Sequence, residues 1–134
     1  MTREDKDLLE KVKGVLLLHE EIVFAYLFGS FAEGSSYRDI DIAVYCDDKS
    51  PLVHAPLYDV ELSRELENVL RIPVDVVVLN NAPDYIVYRA SRGILVKDTN
   101  ENLRFDFLLP RLKKYLDFQE LLKKYTQEFK DACR

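Results

Sequence analysis

The run EIVFAYLF, residues 21–28, most restricts what this chain can become. Its apolar, β-favouring side chains fall at odd and even positions alike, so an extended segment here must be covered on both faces. That describes a buried strand, ended by Gly29-Ser30. DIDIAVY predicts a second strand over 39–45. VDVVVL predicts a third over 74–79, so apolar that a central place in the sheet is expected. Between the strands the spacing turns helical. Thr2 and Asp5 resemble a capping box ahead of Leu8, Leu9, Val12 and Leu16, predicting a helix over about 3–18. FAEG suits one or two helical turns closed by Gly34, Pro56 suits the start of a helix through Leu70, and Pro83 opens a short helix that Gly93 stops. ILV follows as an edge strand. From about Asn100 to Lys130, Leu108, Leu112, Tyr115, Leu122, Tyr125 and Phe129 recur at mostly helical steps, with Pro110 expected to kink or divide the segment. The alternation of helices and strands predicts an α/β or α+β class, while loop lengths leave the strand order open. We expect a domain over 1–98 and a C-terminal helical extension over 99–134 packed on it.

A chain of 134 residues suits one core, and 48% apolar with 32% charged residues excludes a disordered chain. No run approaches the roughly 18 apolar residues of a membrane span, and MTREDKDLLEK lacks a signal-peptide core, so the expected compartment is the cytoplasm. Cys46 and Cys133 stand alone, which predicts free thiols rather than a zinc knuckle or disulfide. A net charge of −5 argues against strong nucleic-acid binding. Charge is uneven, however: Arg111–Arg134 holds seven basic and four acidic residues, either a solvated face or a partner surface.

Asp39 and Asp41 share one face of the predicted strand, their Cα atoms about 6.5–7 Å apart. Two bare carboxylates there repel by about 2–3 kcal/mol at an effective dielectric of about 20. A divalent cation between them removes that cost and uses their oxygens as hard ligands. A pair at a solvated strand edge is the other reading. If the strand bearing Asp75 lies alongside, a third carboxylate joins the face. Three acids on neighbouring strands suit two Mg²⁺ ions clamping a phosphoryl transfer. Asp75 can equally be an entrance carboxylate hydrogen-bonded to backbone N–H groups. Gly29-Ser30, at a strand end before a helical turn, exposes N–H groups and a hydroxyl to an anion, as many ordinary turns also do. His19 and His54 lack metal-ligand spacing. Asp47-Asp48 reads as a solvated loop, and Ser35-Ser36 as loop residues over the site.

GSFAEGSSYRDIDIAVY followed by VDVVVL resembles the minimal nucleotidyltransferase family of the DNA polymerase β-like superfamily, in its antitoxin branch. The likeness covers about residues 3–98, and RFDFLLPRLKKYLDF also resembles the C-terminal helix of these proteins. It implies a small mixed sheet flanked by helices. By the same likeness Gly29 and Ser30 would hold the triphosphate, and Asp39 and Asp41 would bind Mg²⁺. Asp75 would assist the metal site and deprotonate the attacking hydroxyl. The spacer from Ser30 to Asp39 is shorter than is usual in that branch. Arg38 stands where a small residue commonly precedes the first Asp, and it is either a phosphate contact or a plain surface residue.

The resemblance implies Mg²⁺-dependent transfer of AMP from ATP to a hydroxyl. The acceptor would be a tyrosine of a partner HEPN-domain toxin, with this chain as its antitoxin. Two rivals are a non-catalytic antitoxin that masks its partner by contact and a scaffold that forms an oligomer through the C-terminal helix.

Overall fold

The computed structural model describes residues 1–34 and 36–132. Ser35 and Cys133, named above, lie outside the described residues. Helix α1 (Arg3–Leu17) opens as its sequence requires: the Thr2 side chain accepts from the Asp5 N–H while the Asp5 carboxylate accepts from the Thr2 N–H. Strands β1 (Ile22–Phe28) and β2 (Ile40–Cys46) follow, then helix α2 (Tyr58–Leu70), strand β3 (Val74–Val78), helix α3 (Asp84–Ser91), strand β4 (Ile94–Asp98) and helix α4 (Glu101–Ala132). Short 3₁₀ turns occupy Pro51–His54 and Leu79–Asn81.

The sheet runs β3-β2-β1-β4, with β1 antiparallel to both neighbours and β2 parallel to β3. The double-sided apolarity of β1 is matched by two cores. Ala25 and Leu27 pack with Ile40, Ile42 and Val44 under α1 and α2, while Phe24, Tyr26 and Phe28 pack with Ala43 under α3 and α4. Each fully buried Phe or Leu contributes about 1.5–3 kcal/mol over an exposed one, so the sheet is held from both sides.

Four expectations need correction. Strand β3 is at an edge, not central. Its apolar run reflects cover on both faces, with Val76 and Val78 against one core and Val77 against the other. Strand β2 begins at Ile40, leaving Asp39 in the bend before it. Helix α2 begins at Tyr58 rather than Pro56, because Leu57 is left-handed (φ 63°) and breaks the path. Helix α4 runs through Pro110 undivided, so of the kink or division expected there the division does not occur. The proline cannot donate to the Asp106 carbonyl, but both residues are exposed, so water can serve that oxygen. In the same turn the Arg111 guanidinium donates to the Phe107 carbonyl at 3.2 Å and lies 4.0 Å from the Phe107 ring centre. Phe107 and Leu108 anchor this helix in the core, whereas the last turns leave Leu121, Leu122, Tyr125 and Phe129 exposed. Among the described residues no helix is long and apolar enough to cross a membrane.

Candidate active site

The sheet end where β1 stops and β2 and β3 start collects the chemistry. Gly29 follows β1 with φ +79°, a left-handed conformation that side chains strain to adopt. Space closes the position further, since a Cβ there would run into the Asp41 carboxylate. After Gly29 the chain turns tightly: Glu33 N–H donates to the Gly29 carbonyl at 3.1 Å and Gly34 N–H to the Phe31 carbonyl at 3.2 Å. Phe31 is buried edge-on against Tyr37, ring centres 4.8 Å apart, which pins the loop to the first core. Ser30 lies at the start of this turn, half-buried.

Asp41 sits in β2 opposite Phe28 of β1 and opposite Asp75 of β3. The parallel register therefore juxtaposes two of the acids picked out in the sequence. Asp39 lies close enough to act on Asp41 from the bend before β2. Asp39 and Asp75 are exposed and Asp41 is half-buried. Burial raises the Asp41 carboxyl above its ordinary range, the charges of Asp75 and Asp39 raise it further, and Arg89 on α3 pulls it back. This is a negative centre that Arg89 compensates only in part. Its hard oxygen donors suit Mg²⁺ chemically. Among the described residues no three such side chains already converge on one point. Such a donor set suits an ion that takes its remaining ligands from substrate phosphates and water. Arg38 is exposed and forms no ion pair among the described residues.

Beside the acids lies a cleft of about 590 Å³, with Phe28, Gly29, Ala32 and the carboxylate-bearing Glu33 on one wall and Tyr88, Arg89 and Arg92 on the other. That volume is in the range of small-molecule sites. Gly93 sets its floor, because any side chain there would strike the Leu27 carbonyl and the backbone of Phe28. Helix α3 thus abuts the end of β1. The two arginines escaped the sequence reading. Their only signal was a spacing of one helical turn, which is common on solvated helices.

The remaining candidates fall elsewhere. His19 bridges two carboxylates, Glu21 at 2.9 Å and Glu65 at 2.8 Å, at the opposite end of β1. Tyr58 donates to Glu21 at 2.5 Å and receives the Cys46 thiol at 3.6 Å. Burial would lift Glu21, but hydrogen bonds from Tyr58, its own N–H and His19 outweigh it and hold the carboxyl below its ordinary value. Cys46 is a buried free thiol pushed up by burial to about 11, which suits packing rather than reaction. His54 contacts the Asp48 carbonyl at 3.0 Å, and Asp47 and Asp48 accept from Lys49 and Asn80 within their own loop and the neighbouring turn.

A family model described as "Polymerase beta, Nucleotidyltransferase" matches residues 10–102. No curated protein matches the chain. Solved structures with the same fold include a tri-AMPylated Shewanella oneidensis HEPN toxin in complex with MNT antitoxin, 23% identical over 97% of this chain and 99% of that one, with a TM-score of 0.67. A toxin–antitoxin structure with AMP-PNP is 24% identical over 94% of this chain and 98% of that one, with a TM-score of 0.69. An MntA-HepT toxin–antitoxin structure is 21% identical over 96% of this chain and 99% of that one, with a TM-score of 0.66. At these identities the likeness establishes the fold.

Proposed function

The chain belongs to the polymerase beta nucleotidyltransferase family, and on that premise we propose that it moves AMP from ATP to a tyrosine of a HEPN-domain toxin and so acts as its antitoxin. The reading is carried by the half-buried Asp41, set with Asp39 and Asp75 and against a left-handed glycine whose replacement by any side chain would displace the Asp41 carboxylate. Structural neighbours that comprise an AMPylated toxin with its antitoxin, and a toxin–antitoxin with AMP-PNP, support this choice of donor and partner class.

Asp39, Asp41 and Asp75 would hold Mg²⁺, which when bound supplies charge neutralisation for the phosphates and for the oxygens of the displacement. The residues of the chain do the rest. The open backbone of Gly29 lets phosphate approach closely, and Ser30 offers a hydroxyl beside it. Asp75, exposed at the sheet end, accepts the proton of the acceptor hydroxyl. That oxygen bonds to the α-phosphorus, the bond from the α-phosphorus to the oxygen bridging to the β-phosphate breaks, and pyrophosphate leaves with the electron pair. The exposed apolar side chains at the end of α4 provide a face for the partner.

The test is transfer of labelled AMP to the purified partner by the wild type, Asp41→Asn and Asp75→Asn, with ATP binding measured in parallel. Both variants should lose transfer, and Asp75→Asn should keep ATP binding while losing about 10²–10⁴-fold in rate. If the wild type binds ATP yet transfers nothing from ATP, GTP, CTP or UTP, the protein masks its partner by contact instead.

A further inference from the structure

The cleft beside the acids has two walls of opposite character. One is the turn at Gly29, which leads directly to the Asp41 carboxylate. The other is the last turn of α3 with the residue that caps it, which present Arg89 and Arg92. Both arginines are exposed, and neither forms an ion pair among the described residues. They are not loose, however. The Arg92 guanidinium donates to the Tyr88 hydroxyl at 3.0 Å and lies 5.6 Å from that ring's centre. Arg89 lies 5.9 Å from the centre of the Phe28 ring. Tyr88 is itself braced by Tyr115 of α4, ring centres 4.7 Å apart. Below them Gly93 locks α3 onto the end of β1.

Two guanidiniums held over one cleft, where the exposed Glu33 and the nearby Asp41 offset part of their charge but form no ion pair with them among the described residues, form a receptor for a planar or tetrahedral oxyanion. A monophosphate beside Asp41 and Asp75 would need only local compensation. A polyphosphate reaching from the acids across the cleft would meet both arginines in turn. We infer that Arg89 and Arg92 hold the β- and γ-phosphates of the incoming nucleoside triphosphate and then stabilise the pyrophosphate that departs. This rests on the nucleotidyltransferase reading above. In the displacement already written, the bond that breaks leaves its electron pair on a β-phosphate oxygen, and the guanidiniums stand where that charge grows. Because they touch phosphate and not base, their contribution is the same for every nucleoside triphosphate.

The test uses the full chain with Mg²⁺ and compares ATP, AMP and inorganic pyrophosphate as ligands by calorimetry. Arg89→Gln and Arg92→Gln should each weaken ATP about tenfold or more, the loss of one charge-assisted contact. The double variant should also lose competition by pyrophosphate, while AMP affinity should change less than twofold. Arg→Lys at either site should recover part of the loss, since charge returns without the fork. Tyr88→Phe, which removes the hydroxyl but leaves both charges, separates a positional effect on Arg92 from the charge itself. It should cost ATP less than Arg92→Gln does. Both arginines are exposed, so melting temperatures should stay near that of the wild type. If the wild type binds ATP and the double variant binds it equally well, the arginines do not hold the phosphates and this inference fails alone. If the wild type binds no nucleoside triphosphate with Mg²⁺, the nucleotidyltransferase reading fails and takes this inference with it.

Discussion

The Cα of Gly29 lies directly against the Asp41 carboxylate, so that a Cβ at residue 29 would overlap the Oδ2 atom. Backbone and acid therefore specify each other. Gly29→Ala must strain a left-handed residue and displace Asp41 at once. We expect it to cost about 1–2 kcal/mol in urea unfolding and to lower transfer by about 10²-fold, since a 1 Å displacement of a positioned group is enough for that. Gly34→Ala shares the positive φ of 76° but meets nothing within 4 Å. It should cost stability and leave transfer close to normal. Equal losses of activity in the two variants would show that the contact with Asp41 is irrelevant.

Asp41 should make the metal-free protein less stable at neutral pH. Its folded-state pKa is raised, so the stability it contributes is full below the ordinary carboxylate range and is lost as pH rises through the folded value. Asp41→Asn should accordingly melt higher than the wild type at pH 7 without metal, and the advantage should vanish below about pH 3. Mg²⁺ should reverse the ranking. At a hundredfold excess over Kd it adds about 2.7 kcal/mol to the wild type, and the variant should lose most of that gain. A wild type that melts identically with and without millimolar Mg²⁺ and ATP would speak against the acids as ligands.

Glu21 has the opposite sign. Its carboxyl is held low in the folded state, so its stabilisation is present above the ordinary glutamate value and is lost as pH falls through the folded value. Glu21→Gln leaves Tyr58 and His19 without their charged acceptor and should cost about 1–3 kcal/mol at pH 7. The difference from the wild type should narrow on acidification. A cost independent of pH would mean that shape, not charge, is what Glu21 supplies.

The partner face should separate from the fold. Tyr125 and Phe129 are exposed by 61% and 71% on the last turns of α4. Replacing both with Ser should leave the melting temperature within a few degrees, because little buried area is lost, and should weaken binding to the partner toxin at least tenfold. The contrast is Tyr115→Ser, which removes the support of Tyr88 and should lower stability and nucleotide affinity together. Unfolding of the Tyr125/Phe129 double variant would place these residues in the core.

Asp41 and Asp75 stood out in the sequence because a charge inside an apolar run is conspicuous, whereas Asp39 lies in the bend before β2, where the period of two that would set its face does not reach. The register that sets Asp41 beside Asp75 was not legible, since a parallel pairing depends on which strands adjoin. The same gap misplaced β3. A valine run records cover on both faces, and an edge strand between two helical layers has that cover too. Pro110 does not divide α4 because its cost is local: the Asp106 carbonyl it leaves without a donor lies in an exposed turn that water can serve. Arg89 and Arg92 were invisible because nothing in an isolated short helix says which way it will face.

The mixed sheet has a consequence for the order in which the protein assembles. Strands β1 and β2 are joined by the turn at residues 29–39 and can meet as a ribbon, closing a short loop. Strand β3 reaches the same β2 only after residues 47–73, which include all of α2, have been laid across one face. Closing the longer loop costs more entropy, and non-local parallel pairing is the slower event. Gly29 and Asp41 therefore come together early, and Asp75 arrives with the last strand of that side. Recovery of activity during refolding should lag behind recovery of β1–β2 amide protection, because the acid pair is completed only when β3 docks.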